Sequence, residues 1–428
     1  MTSDSSAMAG RLSVSDLIAA FRQPRGYRAA WAQLGLFLRQ APVDEIESFA
    51  DQALLALPDE ASMIDSVLCV MSAPALARLA ASAIDLMERD QPSEMCEAVL
   101  QAASLQIAPA LQPRLGRLFA LAPNQGSYAE NWPWRAARDE DIAFLREQLA
   151  GDDPHARLKA WRCLLETRQQ AAMAAAVAAY PSLALAQPLL AYLREVDHDG
   201  PGQPLCGTAC SHLVFPENYL SDGGGKAGPG PAHPSWTLTA GAGSYRFGGA
   251  GSGACGLCGG RLHHLITLPA AHLFEADAGA GAAAGADVSL EVCLSCLGWE
   301  RDVLFYRHGD DGLPGALEQG ALTPRFPAHA LAPAEVRLAS TPPRWRWQGW
   351  GPANGAENLH RVGGHPTWVQ SADYPDCPAC AKTMHFAMQL DSQLPTTKGD
   401  AWDWGSGGVC YVLRCAPCRI SGFLWQCT

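Results

Sequence analysis

Four Cys-x-x-Cys pairs lie in the second half of the chain, and their spacing repeats to the residue. The first and third cysteines of each set are 38 residues apart, since 293 − 255 and 415 − 377 give the same difference. The two sets are Cys255, Cys258, Cys293 and Cys296, and Cys377, Cys380, Cys415 and Cys418.

Two cysteines separated by two residues can form a tight turn that directs both sulfur atoms at one metal ion. Two such turns complete a tetrahedral thiolate site, which is the geometry of structural zinc. The pattern therefore predicts two zinc ions, and four sulfur ligands leave no open position for catalysis. Iron, which also binds four thiolates, is the alternative metal. Equal spacing favours one ion inside each set, and ions shared between the sets are the alternative arrangement.

The repeat extends beyond the cysteines. Arg246-Phe-Gly-Gly precedes the first set, and Arg361-Val-Gly-Gly precedes the second. His263 and His385 each follow the first cysteine of their set by eight residues. We therefore predict two related zinc-bearing β-modules packed pseudo-symmetrically. The two histidines are expected to pack in the core, with a role beside the metal ligands as the alternative.

Glycine divides the chain into two parts of different composition. Six glycines precede residue 200, and 35 of the 41 follow. The first part is rich in good helix formers. Its apolar residues recur at helical intervals, as in Ile46, Phe49, Ala53 and Leu57. This pattern predicts an all-α domain over residues 1–199.

Capping residues predict where several of these helices begin. Ser93, Asp139 and Asp153 precede apolar-periodic segments, and Pro154 suits a first helical position. The segment 151–165 resembles a HEAT-type repeat helix, and this resemblance covers about one repeat. A HEAT-like helical-repeat domain is therefore one prediction, and an irregular helical bundle is the alternative.

The second part has the composition of strands and loops. Strands are predicted at 289–292, 303–306 and 409–413. Low-complexity stretches at 221–235 and 276–287 are predicted to be flexible loops. The fold class is therefore multidomain α+β, with an N-terminal helical part followed by a mostly β region. We place the first zinc-bearing module at 200–335 and the second at 336–428.

The charge and the N-terminal sequence exclude some classes of protein. A net charge of −12 argues against binding to nucleic acid, which requires a basic face. The start of the chain has no pattern of a secretory signal, and no apolar run is long enough to span a membrane. We expect a cytoplasmic protein, a compartment in which paired cysteines are more often metal ligands than disulfides.

Further candidate residues carry weaker signals. Cys206, Cys210 and His212 have ligand chemistry without a fourth partner nearby, so we expect the two cysteines to be ordinary buried thiols, and a third metal site is the alternative. Cys69, Cys96 and Cys163 lie on apolar helix faces and are expected in the core, and Cys410 and Cys427 are expected in strands. The sequence shows no nucleophile with a catalytic base at a characteristic spacing, and it shows no nucleotide-binding loop.

Tryptophan is concentrated near the C-terminus, where seven of 13 lie in the last 85 residues. In the run Arg344-Trp-Arg-Trp-Gln-Gly-Trp350, a strand would place Trp345 and Trp347 on one face. Core packing is the favoured role of these two side chains. A partner-binding surface is the alternative, since Trp and Arg are enriched in such surfaces.

The last 70 residues resemble the YwqG-like family, a bacterial domain of unknown function. The resemblance is carried by Val362-Gly-Gly-His-Pro, Trp368-Val-Gln, Cys377-Pro-Ala-Cys, Met384, Gln389-Leu-Asp, Gly405, Gly408, Tyr411 and Cys415-Ala-Pro-Cys. It implies a mostly β domain and supplies no catalytic residues. Some relatives accompany bacterial toxins as neutralising partners. The first module lacks the Gln-Leu-Asp and aromatic-x-Gln elements, and the helical part lies outside the resemblance.

Together these observations predict a non-enzymatic cytosolic protein that binds another protein. The most specific form of this prediction is an immunity protein that neutralises a bacterial toxin or effector by direct contact. An enzyme with a site between the helical and β parts is one alternative, and a zinc-ribbon adaptor for nucleic acid is another. The sequence fixes neither the partner nor the oligomeric state.

Overall fold

The structure is a computed structural model that describes residues 12–23, 27–121, 131–220, 233–273 and 287–428. The chain forms two compact units. The first is Met1–Thr167 with Ala232–Pro234, and the second is Arg168–Pro231 with Ser235–Thr428. The predicted low-complexity loops lie almost wholly outside the described residues.

The first unit is helical. Its described residues contain ten α-helices, which we number α1–α10: Val14–Phe21, Tyr27–Gln40, Val43–Ala56, Asp65–Leu68, Ala73–Glu88, Glu94–Gln106, Ala108–Leu111, Leu115–Ala120, Asp139–Ala150 and Pro154–Glu166. Short 3-10 helices lie at Ala61–Met63, Gln112–Arg114 and Trp132–Ala136. An all-α N-terminal part is therefore confirmed.

Capping residues explain several of these boundaries. The Ser93 side chain accepts a hydrogen bond from the Cys96 amide at 3.2 Å, and α6 begins at Glu94, directly after Ser93. Asp153 accepts from the amide of His155 at 3.0 Å, with Pro154 in the first position of α10. These two predicted caps are confirmed because each satisfies an amide that the first helical turn leaves unpaired.

The predicted cap at Asp139 is wrong by one residue. Asp139 is the first residue of α9, and Arg138 precedes it as the capping residue. The carboxylate of Asp141 reaches back to accept from the Arg138 amide at 2.8 Å. The acidic side chain that satisfies the helix start therefore comes from inside the first turn.

The apolar stripes of α1–α8 form one continuous core. Phe37 and Phe49 pack with ring centroids 5.7 Å apart, and both are fully buried. Cys69, Cys96 and Cys163 are also buried, as predicted. Successive helices pack on one another, including α5 on α6 and α9 on α10.

The second unit begins with two further helices, α11 (Gln170–Ala179) and α12 (Leu189–Glu195). Both precede residue 199, where the composition of the chain changes, yet they belong to the same unit as the strands. The amide of Ala372 donates to the Glu195 carboxylate at 3.1 Å. Contacts of this kind join the residues around α12 to the β region.

Strands dominate the rest of the second unit. They are β1–β16: His198–Gly200, Gln203–Pro204, Cys210–Val214, Ser244–Phe247, Ala250–Ala254, Arg261–Leu268, Val288–Val292, Leu304–His308, Pro314–Ala316, Ala334–Ser340, Arg361–Gly363, His385–Asp391, Leu394–Pro395, Ala401–Trp402, Val409–Cys415 and Ile420–Gln426. Two short helices, α13 (Ala270–Leu273) and α14 (Trp350–Ala353), lie between strands.

Twelve of these strands form one antiparallel sheet. Its order is β5-β6-β4-β10-β3-β11-β12-β15-β16-β8-β9, and β7 pairs with β6. The Ser289 amide of β7 donates to the Gly312 carbonyl in the β8–β9 connection at 3.1 Å. The two ends of the sheet therefore approach each other, and the sheet is nearly closed.

The two predicted modules are equivalent in strand pairing. The module offset is 122 residues, because 377 − 255 = 122. In the first module His263 lies opposite Val292 and Leu268 opposite Val288. The second module pairs His385 with Arg414 and Leu390 with Cys410, which are the same positions plus 122.

The modules even share one irregularity in their ladders. The register of β6 with β7 shifts between His264 and Ile266. That of β12 with β15 shifts between Phe386 and Met388, again 122 residues later. A bulge adds one residue to a strand and bends it, so its exact repetition indicates that the modules share one backbone plan.

The central strands join the modules to each other. β3 and β10 pair at the centre of the sheet. β10, at the start of the second module, also pairs with β4 of the first, and β3, near the start of the first module, also pairs with β11 of the second. Each module thus completes the sheet of the other, and the predicted boundary between residues 335 and 336 falls inside β10.

The run of tryptophans does not form the predicted strand. Residues Pro343–Trp345 form a 3-10 helix, because proline fixes the backbone there and donates no hydrogen bond to a sheet. Trp345 is buried, whereas Trp347 is only partly so and stacks on His365 at 3.7 Å between ring centroids. The favoured prediction, that both tryptophans pack in the core, is therefore correct for Trp345 only.

The connection at 395–408, between the two cysteine turns of the second module, is ordered, with Trp404 buried.

Across the part of the chain that the structure describes, no helix has both the length and the apolar character needed to cross a bilayer.

Candidate metal centres

The first set of cysteines forms one compact group. Cys255 follows β5 directly, and Cys293 follows β7; both strands pair with β6, which brings the two turns together. The Sγ atoms of Cys255 and Cys296 are 3.9 Å apart, and those of Cys258 and Cys293 are 3.7 Å apart. All four sulfur atoms lie within 4.8 Å of one another.

The second set repeats this arrangement. Cys377 and Cys380 precede β12, while Cys415 ends β15 and Cys418 lies before β16. The Sγ atoms of Cys380 and Cys415 are 3.7 Å apart, and all four lie within 4.8 Å of one another. Each group is built from a single module, as equal spacing favoured.

The first turn of each set has the same backbone hydrogen bonds. The Cys255 amide donates to the Gly260 carbonyl at 2.7 Å, and the Gly259 amide donates back to Cys255 at 2.8 Å. In the second module the corresponding bonds join Cys377 with Lys382 and with Ala381, both at 2.8 Å. Gly259 and Ala381 both have positive φ angles, 70° and 54°. This conformation turns the chain tightly enough to present two sulfurs to one point.

The sulfur spacing fits a metal ion at the centre of each group. A tetrahedral site with metal–sulfur distances of about 2.3 Å has sulfur–sulfur edges of about 3.8 Å. The measured separations of 3.7–3.9 Å match that edge. All 15 cysteines lie in the described residues, and none of them forms a disulfide there. Both groups could therefore hold a metal ion through four sulfur ligands.

In the first group, the close approach of the sulfur atoms makes the ionisation of one thiol affect its neighbours. A hydrogen bond from Cys293 lowers the pKa of Cys255 to about 5. The same bond, with burial, raises the pKa of Cys293, and burial with the Cys255 charge raises that of Cys296 to about 12. One thiolate thus suppresses ionisation of its neighbours. A bound cation would remove this repulsion and allow all four sulfurs to ionise.

His263 lies beside the first group and supports it. Its Nδ1 accepts a hydrogen bond from the amide of Leu294 at 3.1 Å, within the second cysteine turn. Burial lowers the pKa of His263, so the neutral ring that can accept this bond is favoured. Neither His263 nor His385 belongs to a metal-ligand group in the described residues.

The two groups differ in exposure. In the first, Cys255, Cys293 and Cys296 are buried and Cys258 is half-buried. In the second, Cys380 is exposed and Cys418 is half-buried. Chelators and competing thiols can therefore approach the second group more easily.

We expect a chelator to remove metal in two phases, with the second group losing its ion first. Release can be followed with a coloured metal indicator. The variants Cys380→Ser and Cys258→Ser assign the phases, because each should abolish one of them. Loss of the fast phase in Cys258→Ser, with the fast phase intact in Cys380→Ser, would reverse the assignment.

The remaining candidate ligands are not brought together as a set. Cys210 and His212 lie on β3, where His212 Nδ1 contacts the Thr341 hydroxyl at 2.8 Å. Cys206 instead lies within 4.8 Å of ligand atoms of Asp197 and His365. Neither Asp197 nor His365 was a candidate from sequence. The one signal was the position of His365 in the Gly-Gly-His-Pro motif.

Comparisons with known proteins give one partial match. A stretch of 113 residues is 33% identical to the uncharacterised protein YpfL of Salmonella typhimurium, covering 26% of this chain. The match covers 24% of that protein, so the chain spans about a quarter of its relative's length. No protein-family model matches the chain. No solved structure matches it either.

Proposed function

We propose that this chain is a non-enzymatic, cytosolic protein-binding protein in which two structural zinc ions hold a binding surface. Its partner in this proposal is a bacterial toxin, which it neutralises by direct contact. The observation that carries the proposal is a partly exposed aromatic patch next to the first cysteine group. We define this aromatic patch as Trp299, Phe326 and Trp425.

The aromatic patch is built on the second cysteine turn of the first module. Trp299 follows Cys296 by three residues, and the Trp425 indole donates to the Leu297 carbonyl at 3.1 Å. Ring centroids of Trp299 lie 4.8 Å from Phe326 and 5.4 Å from Trp425. An ion bound to that turn would fix the backbone from which the patch projects.

Exposure makes the patch suitable for a partner. The Phe326 side chain is 55% exposed, and Trp299 and Trp425 are half-buried. Large aromatic side chains held rigidly at a surface supply much of the binding free energy in protein interfaces. The neighbouring Arg325 donates to the Trp299 carbonyl and, through its own amide, to Glu300 at 2.9 Å. These bonds hold the segment that carries Phe326.

The choice of zinc as the metal and of the cytosol as the compartment follows from thiol chemistry. Four thiolates favour zinc over calcium, magnesium or manganese, and reduced thiols persist in the cytosol. The net charge of −12 suits a basic partner, because opposite charges speed association. The resemblance to the YwqG-like family supports the choice of a toxin as that partner.

Co-expression with the product of the adjacent gene tests the proposal. We expect that product to be toxic alone, to be neutralised by this chain and to co-purify with it. Phe326→Ala should weaken the complex by about 30-fold or more, the effect of losing a central interface residue. Binding can be measured by calorimetry on purified proteins.

Leu55→Ala is the matched control, since Leu55 is 69% exposed in the helical unit. It should leave affinity unchanged, and both variants should retain two metal ions. If the double variant Trp299→Ala and Phe326→Ala binds as tightly as the parent chain, the patch is not the interface. If the adjacent gene product is harmless and does not bind, the immunity function is wrong.

A further inference from the structure

A third group of ligand-type side chains lies in the second unit, apart from both cysteine groups. Asp197 precedes β1, Cys206 follows β2 and His365 follows β11. His365 Nδ1 lies 2.8 Å from Asp197 Oδ2 and 3.0 Å from Cys206 Sγ. A nitrogen, an oxygen and a sulfur, all common zinc ligands, thus meet at one point.

One hydrogen bond cannot account for all the contacts of His365 Nδ1. A third atom, Nη1 of Arg168, also approaches His365 Nδ1, at 3.2 Å. A ring nitrogen carries either one proton or one lone pair in the ring plane. It can therefore form one good hydrogen bond, whereas three polar atoms converge on it. A metal ion between Nδ1, Sγ and Oδ2 would accept a lone pair from each of them.

Surrounding residues hold the three ligand-type side chains in place. The Tyr374 hydroxyl donates to Asp197 Oδ1 at 2.8 Å, which leaves Oδ2 directed at the cluster. The His365 ring is stacked on Trp347, and Arg361 donates to the His365 carbonyl. Supporting contacts of this kind orient the ligands of known metal sites.

Arg168 supplies the positive charge that the cluster contains. Its Nη1 forms an ion pair with Asp197 Oδ2 at 2.8 Å, and its guanidinium lies over the Trp347 ring. Burial opposes ionisation of Asp197, but the charge of Arg168 and the bond to His365 hold the pKa of Asp197 well below its usual range. An incoming metal ion must compete with Arg168 for this carboxylate.

A nucleophilic role for Cys206 fits the surroundings less well. The thiol is only 5% exposed, so a substrate has little access to it. Burial and the nearby Asp197 charge raise the pKa of Cys206, which keeps the thiol neutral and weakly nucleophilic.

We propose that Asp197, Cys206 and His365 form a third metal site, which takes a divalent ion of the zinc type exchangeably. Arg168 occupies the cation position when the ion is absent. Three protein ligands leave a coordination position open, unlike the two tetracysteine groups. Competition with Arg168 makes this site weaker than those groups. The proposal stands independently of the partner surface.

Zinc uptake tests the third site. Protein carrying its two tightly held ions is dialysed against rising free zinc, and bound metal is counted by elemental mass spectrometry. We expect the parent chain to take up a third equivalent, and Cys206→Ala and His365→Gln to stop at two. Arg168→Gln should bind the third ion at least about tenfold more tightly, because it removes a competing charge.

Cys210→Ala is the matched control, since Cys210 is a buried thiol four residues away and belongs to no ligand group in the described residues. It should bind three ions. Retention of the two tight ions verifies that each variant is folded. If Arg168→Gln is unstable, loss of the third ion in Cys206→Ala and His365→Gln still tests whether these side chains bind it. A parent chain that stops at two ions at about millimolar zinc, or a third ion that persists in Cys206→Ala, overturns the proposal.

Discussion

Replacing Cys293 with serine should reduce the bound metal from two ions to one and destabilise the second unit severely. Cys293 is 1% exposed, and its sulfur lies against that of Cys258 at the centre of the first group. Metal binding in small tetrahedral sites contributes on the order of 10 kcal/mol to folding. Loss of one ligand should forfeit much of that contribution. Native mass spectrometry counts the ions, and thermal unfolding reports the stability.

Cys410→Ser is the control for this change. Cys410 is fully buried in β15 but belongs to neither tetracysteine group. Its replacement should cost about 1–3 kcal/mol, the penalty of burying an unpaired hydroxyl, and should leave both ions bound. A Cys293→Ser variant that keeps two ions and unfolds like Cys410→Ser would contradict the assignment of Cys293 as a ligand.

Gly363→Ala and Gly248→Ala should each destabilise the sheet by about 2–5 kcal/mol, which combines left-handed strain with a steric clash. Gly248 and Gly363 have φ angles of 70° and 67°. An added Cβ would lie 2.2 Å from the Ala332 carbonyl oxygen in the first case and 2.3 Å from that of Ala209 in the second. Urea unfolding of the purified variants measures the cost.

The two glycines occupy corresponding places in the two modules, each beside the residue or residues that lead into a central strand. Ala209 and Ala332 lie just before β3 and β10, the central strands that each pair with the opposite module. Gly399→Ala is the control, because Gly399 has a φ of 92° but no atom within 4 Å of the added carbon. It should cost only about 1 kcal/mol, the conformational part. If Gly363→Ala costs no more than Gly399→Ala, close approach to the central strand does not explain the glycine.

Sequence spacing predicted the cysteine groups because their geometry is largely local. A Cys-x-x-Cys turn is set by a few backbone bonds, such as that between Cys255 and Gly260. An antiparallel strand pair then needs only to return the chain for the second turn to meet the first. Equal spacing in both modules goes with equal strand register, down to the shared register shift.

The Asp197, Cys206 and His365 cluster had no comparable signal. Asp197 and His365 are 168 residues apart in sequence, and they adjoin different sheets, since Asp197 precedes β1 and His365 follows β11. Cys206 had been grouped with Cys210 and His212 by proximity along the chain. The strand directs His212 toward Thr341 instead. Spacing identifies ligands that share one turn, but not ligands gathered from distant parts of the chain.

The sequence by itself determined the helical first part, the β character of the second and two repeated thiolate groups. Helical periodicity, caps and short cysteine turns are properties of neighbouring residues, and they can be read from the printed chain. Tertiary structure alone decided that β3 and β10 each pair with a strand of the opposite module. It also decided that α11 and α12 belong to the same unit as the strands, and that Phe326 is exposed beside Trp299. These outcomes depend on which distant surfaces bury one another, a choice that no local pattern encodes.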